Sequence, residues 1–248
     1  MLRVGRIPYL NCEPFFHRLQ GVELVDLIPR RLGEAMAARE LDAGPLSLID
    51  YLRLETHLTP LPYGIGCPTG ARSVLVFSVR PLSELGGARI GITRETSTSV
   101  ELLRVLLALR YEVEPAAWVE AEEPSDAVLL IGDQAIRRLT GRPSARCVTD
   151  LGLDWREWTG LPFVFARWAV ASRVPAWERR AFESALDTAL DRGLDALPAI
   201  AATRRDLGWT EAQVESYLCN FAFRLGPDEE KGAAEFVRLR SLIGSLPC

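Results

Sequence analysis

The sequence predicts an α/β protein of two lobes, with a ligand cleft between them and a helical C-terminal segment. Three observations carry that expectation. Short apolar runs rich in β-branched residues alternate with helical patterns as far as Ala171, the signature of sheets covered by helices. The alternation breaks at Pro81 and then restarts, which divides it into two units. From Pro175 onward the pattern is helical throughout.

The elements follow in order. Leu2–Ile7 reads as a strand and Phe15–Leu19 as a short helix. Val22–Ile28 is the next strand, and Pro29 then opens a helix reaching Leu41, with Leu32, Ala35, Met36 and Leu41 on its apolar face. Gly44-Pro45 breaks that pattern before a buried strand at Leu46–Ile49, and Ser73–Ser78 is a strand by its β-branched and aromatic content. In the second unit Ala88–Thr93 is a strand, and the hydroxyl cluster Thr96-Ser97-Thr98-Ser99 precedes a helix over Val100–Leu109. Ala116–Glu120 and Ala127–Ile131 are strands, Gly132-Asp133 leads into a short helix through Leu139, and Cys147–Leu151 and Phe163–Ala171 close the unit. The C-terminal segment holds an amphipathic helix at Ala176–Arg192 and a break at Pro198. A helix starts at Thr210 with Gln213 completing a capping box, and a last helix, capped by Asp228, runs to Ile243.

The expected crossings lie near Val79–Leu82 and Ala166–Val174. Residues 1–80 and 172–248 then build one lobe and residues 81–171 the other. This layout is similar to that of type II periplasmic-binding-protein folds. A cleft between hinged lobes suits a small ligand, because closure excludes water.

Composition narrows the function classes. The 248 residues are too many for one small core and few for three domains. Hydrophobic residues at 48% and charged residues at 25% describe a globular chain and exclude a disordered one. A net charge of -4 argues against a general electrostatic grip on nucleic acid or an anionic membrane. Lys231 is the only lysine, so the many arginines read as a compositional bias rather than as a set of phosphate-binding forks. The 5 cysteines are far apart without a CxxC pair, which fits a reducing compartment better than a disulfide framework or a zinc site. The first residues go straight into a strand pattern rather than an apolar leader, and no apolar run reaches the ~20 residues that span a bilayer. A soluble, cytoplasmic protein is expected.

Histidine, the usual acid–base group near neutral pH, occurs only as His17 and His57, neither at a strand-to-helix junction. Ser47 sits in GPLSL, which lacks the second glycine of a nucleophile elbow, and Cys12 reads as a buried small hydrophobe. HExxH, GxGxxG and P-loop patterns are missing, so no metal and no organic cofactor are expected.

The informative residues are mostly uncharged polar groups at strand ends, where ligands of open α/β sheets gather beside helix N-termini. They are Asn11, Ser47, Ser73, Thr98 and Ser99, with Asp133 ending AVLLIGD. Four of them also have a plain structural role open to them: helix capping for Thr98, Ser99 and Asp133, and turn formation for Asn11. Together they predict a site for a small anionic molecule without naming a reaction.

In this order the motifs resemble the chorismate dehydratase family of the futalosine route to menaquinone. The matching residues are Tyr9-Leu10-Asn11, the run Asp42 to Ser47 before Tyr51, Gly70 with Ser73-Val74 and Phe77-Ser78, Thr98-Ser99, and Leu130 to Asp133. The most specific stretch holds Asp150-Leu151-Gly152, Trp155, Thr159 to Ala166 and Trp168, and Tyr217-Leu218 and Phe236 fit the family's helical tail. Thr96 stands where the family usually has serine and keeps the hydroxyl, and Cys12 is a position expected to vary.

The resemblance implies conversion of chorismate to 3-[(1-carboxyvinyl)oxy]benzoate and water on a binding-protein-like fold, without metal or organic cofactor. It implies Asn11 and Asp133 as catalytic residues and Tyr9, Ser47, Ser73, Thr98, Ser99 and Phe163 as substrate-binding residues. Three assignments of the proton transfer stay open. Asn11 orients the ring while the substrate's own enolpyruvyl carboxylate removes the proton; or Asn11 takes part directly; or Asp133 acts as base or acid. The alternatives are 1,4-dihydroxy-6-naphthoate synthase of the same pathway, a solute-binding protein and a ligand-sensing domain. The first is expected to use a histidine in the second lobe, and this chain has no histidine beyond His57. A homodimer through exposed sides of the C-terminal helices is a further expectation.

Overall fold

A computed structural model describes residues 1–141 and 145–244. Strand β1 (Leu2–Arg6) is followed by α1 (Glu13–Phe16), whose Pro14 sits in the first turn, where a missing N–H leaves no bond unmade. β2 (Val22–Asp26) runs parallel to β1, and α2 (Pro29–Ala37) buries Leu32, Ala35 and Met36 on one face. This helix stops short of Leu41 because Arg39 takes a left-handed φ of 61°, which ends the helical run. β3 (Ala43–Ser47) ends where Ser47 caps α3 (Leu48–Leu54), so Leu48 and Ile49 are helical rather than part of the expected strand.

The next strand, β4 (Leu58–Cys67), is not among the expected elements and contains Pro60 and Pro62. Pro60 lies opposite Ala169 beside a register shift that loops out Leu61–Tyr63, and a bulge tolerates prolines. Then come β5 (Val74–Ser78), β6 (Arg89–Ile92) and α4 (Thr98–Val105), which continues as a π-helical turn over Leu106–Arg110. β7 (Ala117–Glu120), β8 (Ala127–Ile131), α5 (Gly132–Thr140), β9 (Cys147–Asp150), α6 (Leu151–Thr159) and β10 (Phe163–Ala171) complete the alternation.

The C-terminal segment contains α7 (Ala176–Asp195), α8 (Leu197–Thr203), α9 (Glu211–Leu218), β11 (Ala222–Arg224) and α10 (Pro227–Leu242). The expected capping box closes on α9: Thr210 Oγ1 accepts from Gln213 N–H and Gln213 Oε1 from Thr210 N–H. Asp228 does not cap α10. Gly226 holds that place, Glu229 accepts its N–H at 2.9 Å, and Asp228 instead pairs with Lys231 one turn on.

The strands form two sheets, in the orders β11-β4-β10-β3-β1-β2 and β7-β6-β8-β5-β9. In the first, β1 pairs in parallel with β2 and β3, while β10 runs antiparallel between β3 and β4. In the second, β6 is parallel to β7 and β8, and β5 is antiparallel to β8 and β9. Two sheets with flanking helices make the expected α/β architecture. The crossings differ from expectation, because β5 belongs to the second sheet and β10 to the first. The chain passes over within residues 68–73 and returns within 160–162, before rather than after each of these strands. Runs of apolar residues mark a strand without marking its partner, and partners decide the sheet.

An aromatic cluster locks the return crossing. The Trp155 and Phe163 rings lie 5.3 Å apart edge to face, and Phe163 and Phe236 lie 5.0 Å apart, joining α6, β10 and α10 in one buried unit. Among the described residues no helix is long and apolar enough to cross a membrane.

Candidate active site

The segments that leave the strand ends converge on one cleft, with about 570 Å³ of free space, part of it open to solvent. Ile65, Phe165, Ala166 and Phe221 give it apolar surface, and its polar lining comes from both sheets.

From the first sheet, the chain beyond β1 turns through a short 3-10 helix at Leu10–Cys12, which places Tyr9, Asn11 and Cys12 on the cleft. The Tyr9 hydroxyl and Asn11 Oδ1 are buried without a protein partner. A buried polar atom left unpaired costs about 1–3 kcal/mol, so two facing one cleft mark a place where a ligand completes the hydrogen bonding. Burial pushes the Cys12 thiol far up, which keeps it protonated and unreactive. Ser47, at the end of β3, donates to Asp50 Oδ2 at 2.7 Å and accepts from Asp50 N–H at 3.2 Å.

From the second sheet, Ser73 lies just before β5, where Arg72 takes a left-handed φ of 57° and the Ala71 and Arg72 N–H groups are anchored on Asp150 at 2.9 and 2.6 Å. Ser73 Oγ stands 2.7 Å from the Tyr217 hydroxyl, and the buried Tyr217 phenol is pushed well above its ordinary value, chiefly by desolvation. The first turn of α4 brings Thr96, Ser97, Thr98 and Ser99 to the cleft. Thr96 Oγ1 accepts from Ser99 N–H at 3.2 Å, leaving earlier amides of the turn free of intrahelical partners. Such amides with neighbouring hydroxyls hold a carboxylate by hydrogen bonds and the helix dipole. Among the described residues no Arg, Lys or His lines the cleft, so this end supplies its positive potential.

The two sides are stitched together around the site. Ile49 N–H donates to Thr98 Oγ1 at 3.1 Å, and Leu10 N–H donates to Asp133 Oδ1 at 3.0 Å. The other Asp133 oxygen accepts from Arg204, which also pairs with Glu13 and Asp206. Burial raises the Glu13 carboxyl above its ordinary value, against the opposing pull of Arg204 and Arg6.

The structure thus gathers Tyr9, Asn11, Ser47, Ser73, Thr98 and Ser99 on one cleft and leaves two candidates off its lining. Asp133 is in the first turn of α5, with both oxygens committed to Leu10 and Arg204, so it fixes the Asn11 turn rather than facing the cleft. Phe163 points into the aromatic core, and Phe165 lines the cleft instead. The two rings pack edge to face with centroids 4.6 Å apart, Phe165 on the cleft lining and Phe163 in the core. Sequence reasoning did not place Gly132 and Tyr217 at the site: in functional terms each entered only as part of a matched motif, Leu130 to Asp133 and Tyr217-Leu218.

Comparison with known proteins agrees with this architecture. A family model described as menaquinone biosynthesis matches residues 2–241. A curated chorismate dehydratase of Thermus thermophilus is 32% identical, over 96% of this chain and 95% of that one. Among solved structures, a protein from Archaeoglobus fulgidus superposes with a TM-score of 0.77 at 18% identity, covering 99% of this chain and 98% of the other. The alkanesulfonate-binding protein SsuA of Xanthomonas axonopodis pv. citri, bound to MOPS, superposes with a TM-score of 0.69 at 18% identity, covering 100% and 94%. These neighbours make the fold periplasmic-binding-protein-like, the layout that the alternation of elements suggested. With the model matched across nearly the whole chain and that identity to a curated relative, the chain belongs to the chorismate dehydratase family of menaquinone biosynthesis.

Proposed function

We propose that the chain is a chorismate dehydratase, a lyase that converts chorismate into 3-[(1-carboxyvinyl)oxy]benzoate and water. The observation that carries the reading is the pair of unpartnered buried atoms, Tyr9 Oη and Asn11 Oδ1, on a cleft that also receives the hydroxyl-rich N-terminus of α4. Chorismate offers two carboxylates and a ring hydroxyl to such a lining.

The reaction breaks the ring C–H bond beside the ether oxygen and the neighbouring C–O bond of the hydroxyl. The electron pair of the C–H bond becomes the third double bond of the ring, and the proton and hydroxide leave as water. Aromatic stabilisation drives the elimination, so the protein's part is to hold one reactive geometry. The α4 amides, Thr98 and Ser99 hold a carboxylate. Asn11 orients the ring, and the substrate's own enolpyruvyl carboxylate removes the proton. Asp133 takes no part in proton transfer, since Arg204 and Leu10 engage it away from the cleft lining.

The test is incubation of the purified protein with chorismate in chelator-treated buffer, followed by liquid chromatography and mass spectrometry. A product lighter by one water with benzoate-type absorbance is expected. Tight calorimetric binding without turnover would instead leave a binding protein, and no binding would mean another substrate.

A further inference from the structure

Ser47 differs from the other hydroxyls of the cleft in how its hydrogen is used. Its Oγ–H donates to Asp50 Oδ2 at 2.7 Å, and the same oxygen accepts from Asp50 N–H at 3.2 Å. A hydroxyl has one donor and two acceptor positions, and a carboxylate only accepts. With one donor and one acceptor position taken, Ser47 has a single lone pair left for the cleft.

The pair is built into the fold. Ser47 and Asp50 are 5% and 7% exposed, and the carboxylate lies over α2 at Gly33, where a Cβ would stand 2.7 Å from Asp50 Cγ. Arg53 approaches the other carboxylate oxygen at 3.5 Å. Thr98 differs: its oxygen accepts from Ile49 N–H, and its own hydrogen has no acceptor among the described residues, so it can donate to the cleft. The cleft therefore has a donor side, at the first turn of α4, and an acceptor point, at Ser47.

We propose that Asp50 is a specificity-determining residue: it fixes Ser47 as an acceptor, so that Ser47 recognises a ligand hydroxyl and disfavours groups that only accept. Resting on the chorismate dehydratase reading, the inference assigns Ser47 to the ring hydroxyl rather than to a carboxylate.

The probes are 4-hydroxybenzoate and 4-fluorobenzoate, which share the ring and carboxylate and differ in whether the 4-substituent donates. By calorimetry the wild type is expected to favour 4-hydroxybenzoate by about fivefold or more, the value of one hydrogen bond. In Asp50→Ala the Ser47 hydrogen is free to turn while its open lone pair stays available, and the preference should narrow through tighter binding of 4-fluorobenzoate. Ser47→Ala should abolish the preference, but without any gain for 4-fluorobenzoate, and it serves alone if Asp50→Ala does not fold. Equal affinities in the wild type, no binding of either benzoate to folded protein, or an unchanged ratio in Ser47→Ala would each overturn the proposal. So would an Asp50→Ala protein that weakens both ligands equally, since that is the mark of a merely structural role.

Chorismate turnover is followed on the same wild-type sample. Selectivity that depends on Ser47 and Asp50 without turnover defeats the dehydratase reading alone, and turnover without selectivity defeats this inference alone.

Discussion

The ring of Tyr9, on the segment after β1, occupies space that Gly132 leaves empty across the cleft: a Cβ on Gly132 would stand 2.5 Å from Tyr9 Cδ2. Gly132 also holds a left-handed φ of 55°, so it meets two demands that only glycine satisfies together.

Gly132→Ala is therefore expected to displace Tyr9 and to strain α5 at its start. The backbone term alone is about 1–2 kcal/mol, and displacement of the ring adds to it. Thermal unfolding should show the loss, and KM for chorismate should rise with it. A variant with wild-type Tm and wild-type KM would remove Gly132 from the account of the site.

Asn11→Ala should leave the fold intact, because Asn11 Oδ1 has no partner in the protein to lose. Turnover should fall by about 10²-fold, as when one preorganised polar group is removed from an active site. Circular dichroism with steady-state kinetics checks both halves, and full turnover would end any catalytic role for Asn11.

Asp133→Asn removes the charge that Arg204 faces. Breaking a buried ion pair from one side costs roughly 3–5 kcal/mol, and the lower end applies because Arg204 keeps Glu13 and Asp206 beside it. The turn carrying Asn11 loosens, so kcat falls. On the reading that Asp133 positions that turn and transfers no proton, the shape of the pH–rate profile should stay as in the wild type. Loss of a limb from the profile would reinstate it as base or acid.

Glu95 tests the electrostatics of the same region. Its Oε2 is buried without a partner, and burial first, then the nearby charge of Asp133, raises its carboxyl above the ordinary 4.5. A raised carboxyl binds its proton more tightly in the folded state than in the unfolded one. The penalty is therefore absent below pH 4.5 and grows to its full size as pH rises through the folded-state value. Glu95→Gln should stabilise the protein at pH 7 and have no such effect at pH 4, as read from denaturant unfolding at the two values.

Much of the architecture was legible because local rules decided it. Phe163–Ala171 and Ala127–Ile131 stand as strands where their apolar content placed them, and Thr210 with Gln213 forms the capping box that its spacing announced. Thr98 and Ser99 were legible as residues of the cleft for the same reason, since a strand end and a helix start position them together. Sheet membership was not legible, nor was the partner of Asp133, because Arg204 lies 71 residues further on and no pattern links the two. Phe165 rather than Phe163 lines the cleft, and which of two touching rings faces it is set by packing rather than by sequence pattern. Ser47 looked like a general oxygen-binding hydroxyl until Asp50 was seen to hold its hydrogen.

The bonds from Ile49 to Thr98 and from Leu10 to Asp133 join segments of the two sheets beside the cleft. Spreading the two sides breaks such bonds, so their strength should bear on the residence time of a bound molecule as well as on its pose. Weakening them should therefore move two steps in opposite directions, slowing a single turnover while hastening the escape of whatever has been made.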